Sequence, residues 1–208
     1  MNFNRLAPHY DWLEAITAGS RLQEVRTQWL HALAGCKHVL SVGEGHGRFA
    51  AAFLERFPQA KLTCVEASPA MIAVAQHRTR PWEDRVRWEC ADTLVWQPAQ
   101  KYDAIVTCFF LDCFPPEALT AVVNHLANAS SERAIWLVAD FAVPHAGPAR
   151  WRAKAIHALM YAFFHFVVAL PARHLTVPDE MLTRQGFQLT GRREFEWGLL
   201  RADIWHRG

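Results

Sequence analysis

The stretch His38-Val39-Leu40-Ser41-Val42-Gly43-Glu44-Gly45-His46-Gly47-Arg48-Phe49 restricts the fold more than any other part of the chain. An apolar, β-branched run stops at three glycines on alternate positions. Phe49, Ala50, Phe53, Leu54 and Phe57 then recur at helical spacing. Strand, glycine turn and helix together form the opening unit of a nucleotide-binding α/β sheet. Glycine suits the turn because it is tight and a ligand must come close to the backbone. The helix N-terminus just beyond leaves N–H groups free for an anionic group such as a carboxylate.

The kind of nucleotide follows from what the turn lacks. A dinucleotide fingerprint aligned on Gly43 and Gly45 needs a third small residue where Arg48 stands, so NAD and FAD are disfavoured. No Gly-Lys-Ser/Thr follows, which excludes the Walker pattern. The remaining Gly43-x-Gly45-x-Gly47 resembles motif I of class I S-adenosylmethionine (SAM) methyltransferases.

Later strand ends extend the likeness. Lys61–Glu66 reads as a second strand ending in a carboxylate about 20 residues past the glycines, where an acid can accept both ribose hydroxyls. Ser68 caps the next helix, read as Ala70–His77, with Pro69 in its first position. Val86–Cys90 is a third strand, followed by Asp92 and Thr93. The resemblance implies that Asp92 receives the adenine amino group, a donor meeting an acceptor; an aspartate capping a turn is the plainer reading. The resemblance also places Met71 against adenine, where the alternative is a core methionine. Ala67, Cys108 and Phe109 complete the candidate cofactor set of Gly43, Glu44, Gly45, Gly47, Glu66, Met71, Asp92 and Thr93. In one place the chain departs from the family. The acid usually found two residues before the first glycine is Ser41 here, and Glu44 is expected to take over contact with the methionine ammonium.

Tyr102 to Phe110 is nearly continuous in apolar residues, as in a strand buried on both faces of a parallel sheet. Asp112 follows it in an apolar loop. At the carboxyl end of a strand it would have a raised pKa and act as a base, or else it is an exposed turn residue ahead of the Pro116 helix. Ala118–Leu126 reads as that helix and Arg133–Phe141 as a fifth strand. Phe187–Phe195 and Leu199–His206, joined by Glu196-Trp197-Gly198, form a hairpin. A helix capped by Thr176 or Asp179 precedes it and closes at Gly186. The expected fold is α/β: a doubly wound, seven-stranded, mostly parallel Rossmann-like sheet ending in an antiparallel hairpin.

Two further segments resemble the ubiquinone/menaquinone-biosynthesis methyltransferases: Ala7-Pro8-His9-Tyr10-Asp11 and residues 178–206. The likeness implies that residues 1–34 form a helical lid or arm. It makes Tyr10 a lid residue near the reacting methyl, where the alternative is a staple of the N-terminal helix. Leu13, Ile16, Leu22, Val25, Trp29 and Leu33 suggest two helical stretches in the arm, the second capped by Ser20. His9 joins Asp112 and Tyr10 as a catalytic candidate, with His145 and His174 behind them. Residues 35–208 then form the SAM-binding domain, carrying a hydrophobic helical insertion at 149–173. Arg150, Arg152 and Lys154 lead that insertion into sixteen uncharged residues, Ala155–Leu170. The run is too short to span a bilayer. It reads as a helix at a membrane interface, a roof over an apolar substrate, or a buried core helix.

Composition narrows the partners. Twenty-two basic and 20 acidic residues leave a net charge of +2, too little for a nucleic-acid footprint. The five cysteines form no Cys-x-x-Cys pair and read as reduced core residues of a cytoplasmic protein, with no metal site. Met1–Ser20 shows no signal segment. The resulting expectation is a cytoplasmic SAM-dependent methyltransferase acting on a small or lipophilic molecule, a quinone-like ring or a lipid head group. It would have no nucleic-acid partner, peripheral membrane contact through 150–173, and a homodimer as its assembly. An NAD(P)-dependent oxidoreductase and a non-catalytic methyltransferase-like partner protein are the alternatives.

Overall fold

A computed structural model describes residues 19–144, 146–168 and 171–208. The chain runs α1 (Gly19–Thr27), β1 (His38–Val42), α2 (Arg48–Arg56), β2 (Lys61–Glu66), α3 (Pro69–Thr79), β3 (Val86–Cys90) and β4 (Tyr102–Cys108). It continues through α4 (Pro116–Ala129), β5 (Ser130–Phe141), α5 (Gly147–Val168), α6 (Asp179–Arg184), β6 (Phe187–Phe195) and β7 (Leu200–Arg207). Seven strands form one sheet in the order β3-β2-β1-β4-β5-β7-β6. The first five are parallel, β7 lies antiparallel beside β5, and β6 closes the edge antiparallel to β7. The strand order reverses around β1, which has β2 on one side and β4 on the other. This is where an open α/β sheet leaves a crevice above its strand ends.

Each strand feeds two cores because its side chains alternate between faces. Leu40, Val42 and Ile105 join Leu119, Val122 and Leu126 of α4 with Trp136 and Trp205 on one side. Val39, Leu62 and Val106 meet Phe49, Phe53 and Leu54 of α2 on the other. The phenylalanine spacing read from the sequence is the buried stripe of α2. Phe53 is fully buried between the rings of Phe49 and Phe57.

Several boundaries move for identifiable reasons. Ser20 lies inside α1 instead of capping it. The helical stretch expected before it, with Tyr10 and His9, lies outside the described residues, as does His145. β5 begins at Ser130, three residues earlier than expected, because Ser130 pairs with Tyr102 ahead of a register shift. α6 has no side-chain cap. Asp179, expected at that cap, is drawn off by two arginines, Arg192 at 2.5 Å and Arg201 at 2.9 Å. The five cysteines are all free, but only Cys64 counts as buried and Cys90 is exposed. The helix expected at 149–173 is α5. Its inner face buries Ala153, His157 and Tyr161, and no helix among the described residues is long and apolar enough to cross a membrane.

Candidate active site

A cleft of about 800 Å³, its open mouth included, lies over the carboxyl ends of β1, β2 and β4. Its floor is the glycine turn. Gly43 adopts φ 66°, and the ring of Phe110 lies where a Cβ would stand. Gly47 adopts φ 82° and brings α2 against α3, since a Cβ there would come within 2.9 Å of the Ala75 backbone. Its role is helix packing, and it does not line the cleft. Gly45 faces open space and donates its N–H to Glu66 Oε2 at 3.0 Å.

Glu66 ends β2 with its carboxylate in the cleft wall. Oε1 accepts the Ser68 N–H at 2.8 Å, so one side chain ties the glycine turn to the start of α3. Burial raises its pKa above the ordinary carboxylate range, and the backbone donors oppose that rise. Ser68 caps α3 as expected, accepting the Met71 N–H at 3.2 Å.

Glu44 folds inward. One oxygen accepts the Ser41 hydroxyl and the other the Ala50 N–H at 2.9 Å. The N-cap of α2 is Gly47, which has no side chain to offer, so Glu44 supplies the missing acceptor from three residues upstream. Burial pushes its pKa to about 7. The bonds from Ser41 and Ala50 and the charge of Arg26 pull it back, and Glu66 pushes it further up.

Arg26 of α1 reaches the same cleft, almost buried, with its guanidinium 5.0 Å from the centre of the Phe109 ring. Phe109 itself has φ 54°, a conformation that costs a side-chain-bearing residue about 1 kcal/mol or more. The strain aims its ring at Arg26 and Phe141, while its N–H is satisfied by Ala139 O at 2.7 Å. Ala67, Met71, Thr93 and Cys108 also border the cleft, as expected.

Besides Gly47, two expected residues lie elsewhere. Asp92 is exposed and accepts the Leu94 N–H at 2.9 Å; it caps its turn and does not line the cleft. Asp112 is neither an exposed turn residue nor a cleft residue. It is buried behind Cys113, and its N–H meets Asp140 Oδ2 at 3.2 Å. Burial pushes Asp112 up to about 6. It raises Asp140 well above the carboxylate range, and the neighbouring Asp112 charge raises it further. A side-chain hydrogen bond joins the two carboxyl groups, so they titrate as a pair. Tyr161 of α5 adds a bond from its hydroxyl to the Asp112 carbonyl at 3.1 Å.

Residues 39–132 match the model of a family described as a methyltransferase domain. Over 81 residues the chain is 35% identical to the tRNA1(Val) (adenine(37)-N6)-methyltransferase of Vibrio parahaemolyticus serotype O3:K6, a match covering 38% of this chain and 31% of that protein. The whole chain superposes on 61% of the mitomycin 7-O-methyltransferase MmcR with TM-score 0.72 and 18% identity. Ninety per cent of it superposes on 83% of the magnesium protoporphyrin IX methyltransferase of Synechocystis PCC 6803 with bound S-adenosylhomocysteine, at TM-score 0.66 and 18% identity. Residues 39–132 are thus similar to a methyltransferase domain, and the whole chain has the Rossmann-like fold of these solved methyltransferases.

Most of the residues lining the cleft lie within the matched stretch, and its likeness to methyltransferases disfavours the nicotinamide alternative. The chain spans about a third of the length of the curated relatives it matches. The likeness to quinone-biosynthesis enzymes rests on residues 7–11 and 178–206, outside the matched stretch. Reading the sequence alone misses Arg26, Phe110 and Cys113 in the cleft wall. Of these only Arg26 left a trace, as a cation beside Val25 on an otherwise apolar helix face.

Proposed function

We propose that the protein transfers a methyl group from SAM to a small or lipophilic acceptor. The buried Glu66 carboxylate carries the reading. It faces the cleft at the end of β2 with backbone N–H groups on both oxygens, which leaves lone pairs for two ribose hydroxyls. Glu44 is the anionic partner for the methionine ammonium and Arg26 the cationic partner for its carboxylate. Met71 and Thr93 border the adenine. Cys108, Phe109 and Cys113 border the space beyond sulfur. α1, the described part of the expected arm, borders this cleft through Arg26.

When bound, SAM supplies a methyl already activated by its sulfonium. The protein's task is then to hold an acceptor in line and exclude water. Asp112 does not border the cleft, so we assign it a positioning role: with Asp140 and Tyr161 it fixes the loop that presents Cys113. An acceptor that needs no strong base fits such a wall. The relatives' acceptors, by name, range from a tRNA adenine to mitomycin; the near balance of charge favours the small-molecule end of that range.

Thermal denaturation with SAM tests the reading. A ligand at 100 times its Kd adds about 2.7 kcal/mol, visible as a rise of several degrees in Tm. No rise at millimolar SAM would overturn it. Binding without turnover on any of a panel of phenols, quinols and lipid head groups would favour the non-catalytic alternative.

A further inference from the structure

α5 is apolar on both faces, but only one of them is covered. Ala153, His157 and Tyr161 face inward, and Tyr161 and Phe164 pack with Cys113 at the edge of the cleft. At 3.6 residues per turn Trp151, Leu159 and Phe166 share the opposite side, with Phe163 at its margin. They are 73%, 75%, 87% and 44% exposed. Trp197, at the tip of the β6–β7 hairpin, is 81% exposed and held outward by a left-handed backbone, φ 61°. Arg152 donates to Glu196 O at 3.1 Å and so fixes the hairpin beside the helix. The exposed stripe from Trp151 to Phe166 is about 22 Å long.

Along α5 the charge has one sign, and Glu196 of the hairpin is paired with Arg21. Between Asp140 and Asp179 the chain has no acidic residue, while Arg150, Arg152, Lys154 and Arg173 are all exposed. We infer that the outer face of α5, with the Trp197 hairpin, docks on an anionic lipid surface, lying in the interface without crossing it. Exposed tryptophans and phenylalanines flanked by cations are the composition of an interfacial helix, and each cation near such a surface strengthens its attraction to anionic lipid. A second copy of this chain is the poorer occupant. A two-fold contact would set the same four cations against themselves. Because the inner face of α5 borders Cys113, docking places the acceptor side of the cleft next to the bilayer. That last step rests on the proposed methyl transfer and makes the acceptor a lipophile drawn from the membrane.

Co-sedimentation of the full chain with phosphatidylcholine vesicles, with and without phosphatidylglycerol, tests the surface. The protein should pellet with the anionic vesicles and be released by high salt. Leu159→Glu/Phe166→Glu should lower the pelleted fraction roughly tenfold or more, with Tm and the SAM-induced shift unchanged. If that pair lowers Tm, Lys154→Glu/Arg173→Glu decides, with the same loss expected. Protein left in the supernatant with both vesicle types overturns the inference. So does pelleting that both pairs leave intact, and so does a lipid-free dimer that the Leu159/Phe166 pair dissolves. A missing SAM shift with vesicle binding intact overturns the methyl-transfer reading and leaves the docking surface standing.

Discussion

Glu44 and Ser41 share a hydrogen bond that replaces one expected acid by another. The class I methyltransferases that the glycine turn resembles usually carry an acid two residues before the first glycine; here Ser41 of β1 holds that position, and its hydroxyl donates to Glu44 in the turn. A carboxylate is thus brought against Ser41 from three residues downstream. It comes with a burial cost that a strand-end acid facing solvent would not meet.

That cost predicts a pH dependence. Glu44 is held at about 7 in the free protein, so at pH 6 it is mostly protonated and cannot pair with an ammonium. SAM affinity should rise from pH 6 to 8, with proton release on binding that calorimetry in buffers of different ionisation heat would detect. Glu44→Gln should flatten both. The stability contribution has the opposite sign. A folded pKa raised from 4.5 to about 7 gives stability present below pH 4.5 and lost as pH rises through 7. Urea denaturation of wild type and Glu44→Gln at pH 5 and pH 8 should show the variant gaining relative stability at pH 8.

Glu66→Ala should weaken SAM binding by about 100-fold, because two hydrogen bonds to a charged acceptor are worth roughly 1.5–3 kcal/mol each before any water replaces them. The fold should survive, since the carboxylate borders the cleft and not the core. Titration calorimetry checks the affinity; a loss under threefold would remove Glu66 from the site.

Arg26→Met keeps the length of the side chain and removes its charge beside Phe109. SAM should bind about tenfold more weakly, a change of ~1.4 kcal/mol. Decarboxylated SAM, which has no carboxylate for Arg26, should bind wild type and variant alike. Equal losses for both ligands would make Arg26 a packing residue.

The glycines should separate by what surrounds them. Gly47→Ala meets the backbone of Ala75 at 2.9 Å and a left-handed φ, so it should destabilise by roughly 2–4 kcal/mol. Gly45→Ala has open space, and only the φ of 62° opposes it, about 1–2 kcal/mol. Its larger effect should fall on SAM affinity, because the added methyl stands where a ligand approaches. Denaturant midpoints for the two variants, set beside their Kd values, would show whether the order holds.

Much of this protein is written in runs of adjacent residues. Period-two and period-3.6 patterns placed β1, α2, β2 and the final hairpin, because both periods come from backbone geometry that neighbouring residues share. The Ser68-Pro69 start of α3 was equally legible, since a cap and the N–H it satisfies lie three residues apart. Tertiary structure alone decided the rest. Asp112 looks like a turn residue until β5 brings Asp140 to it from 28 positions away, and Asp179 looks like a cap until Arg192 and Arg201 claim it. Arg26 enters the cleft only because α1 packs beside the glycine turn, far from it in sequence. A charged side chain settles where its strongest partner is, and in these three cases no local pattern holds that partner.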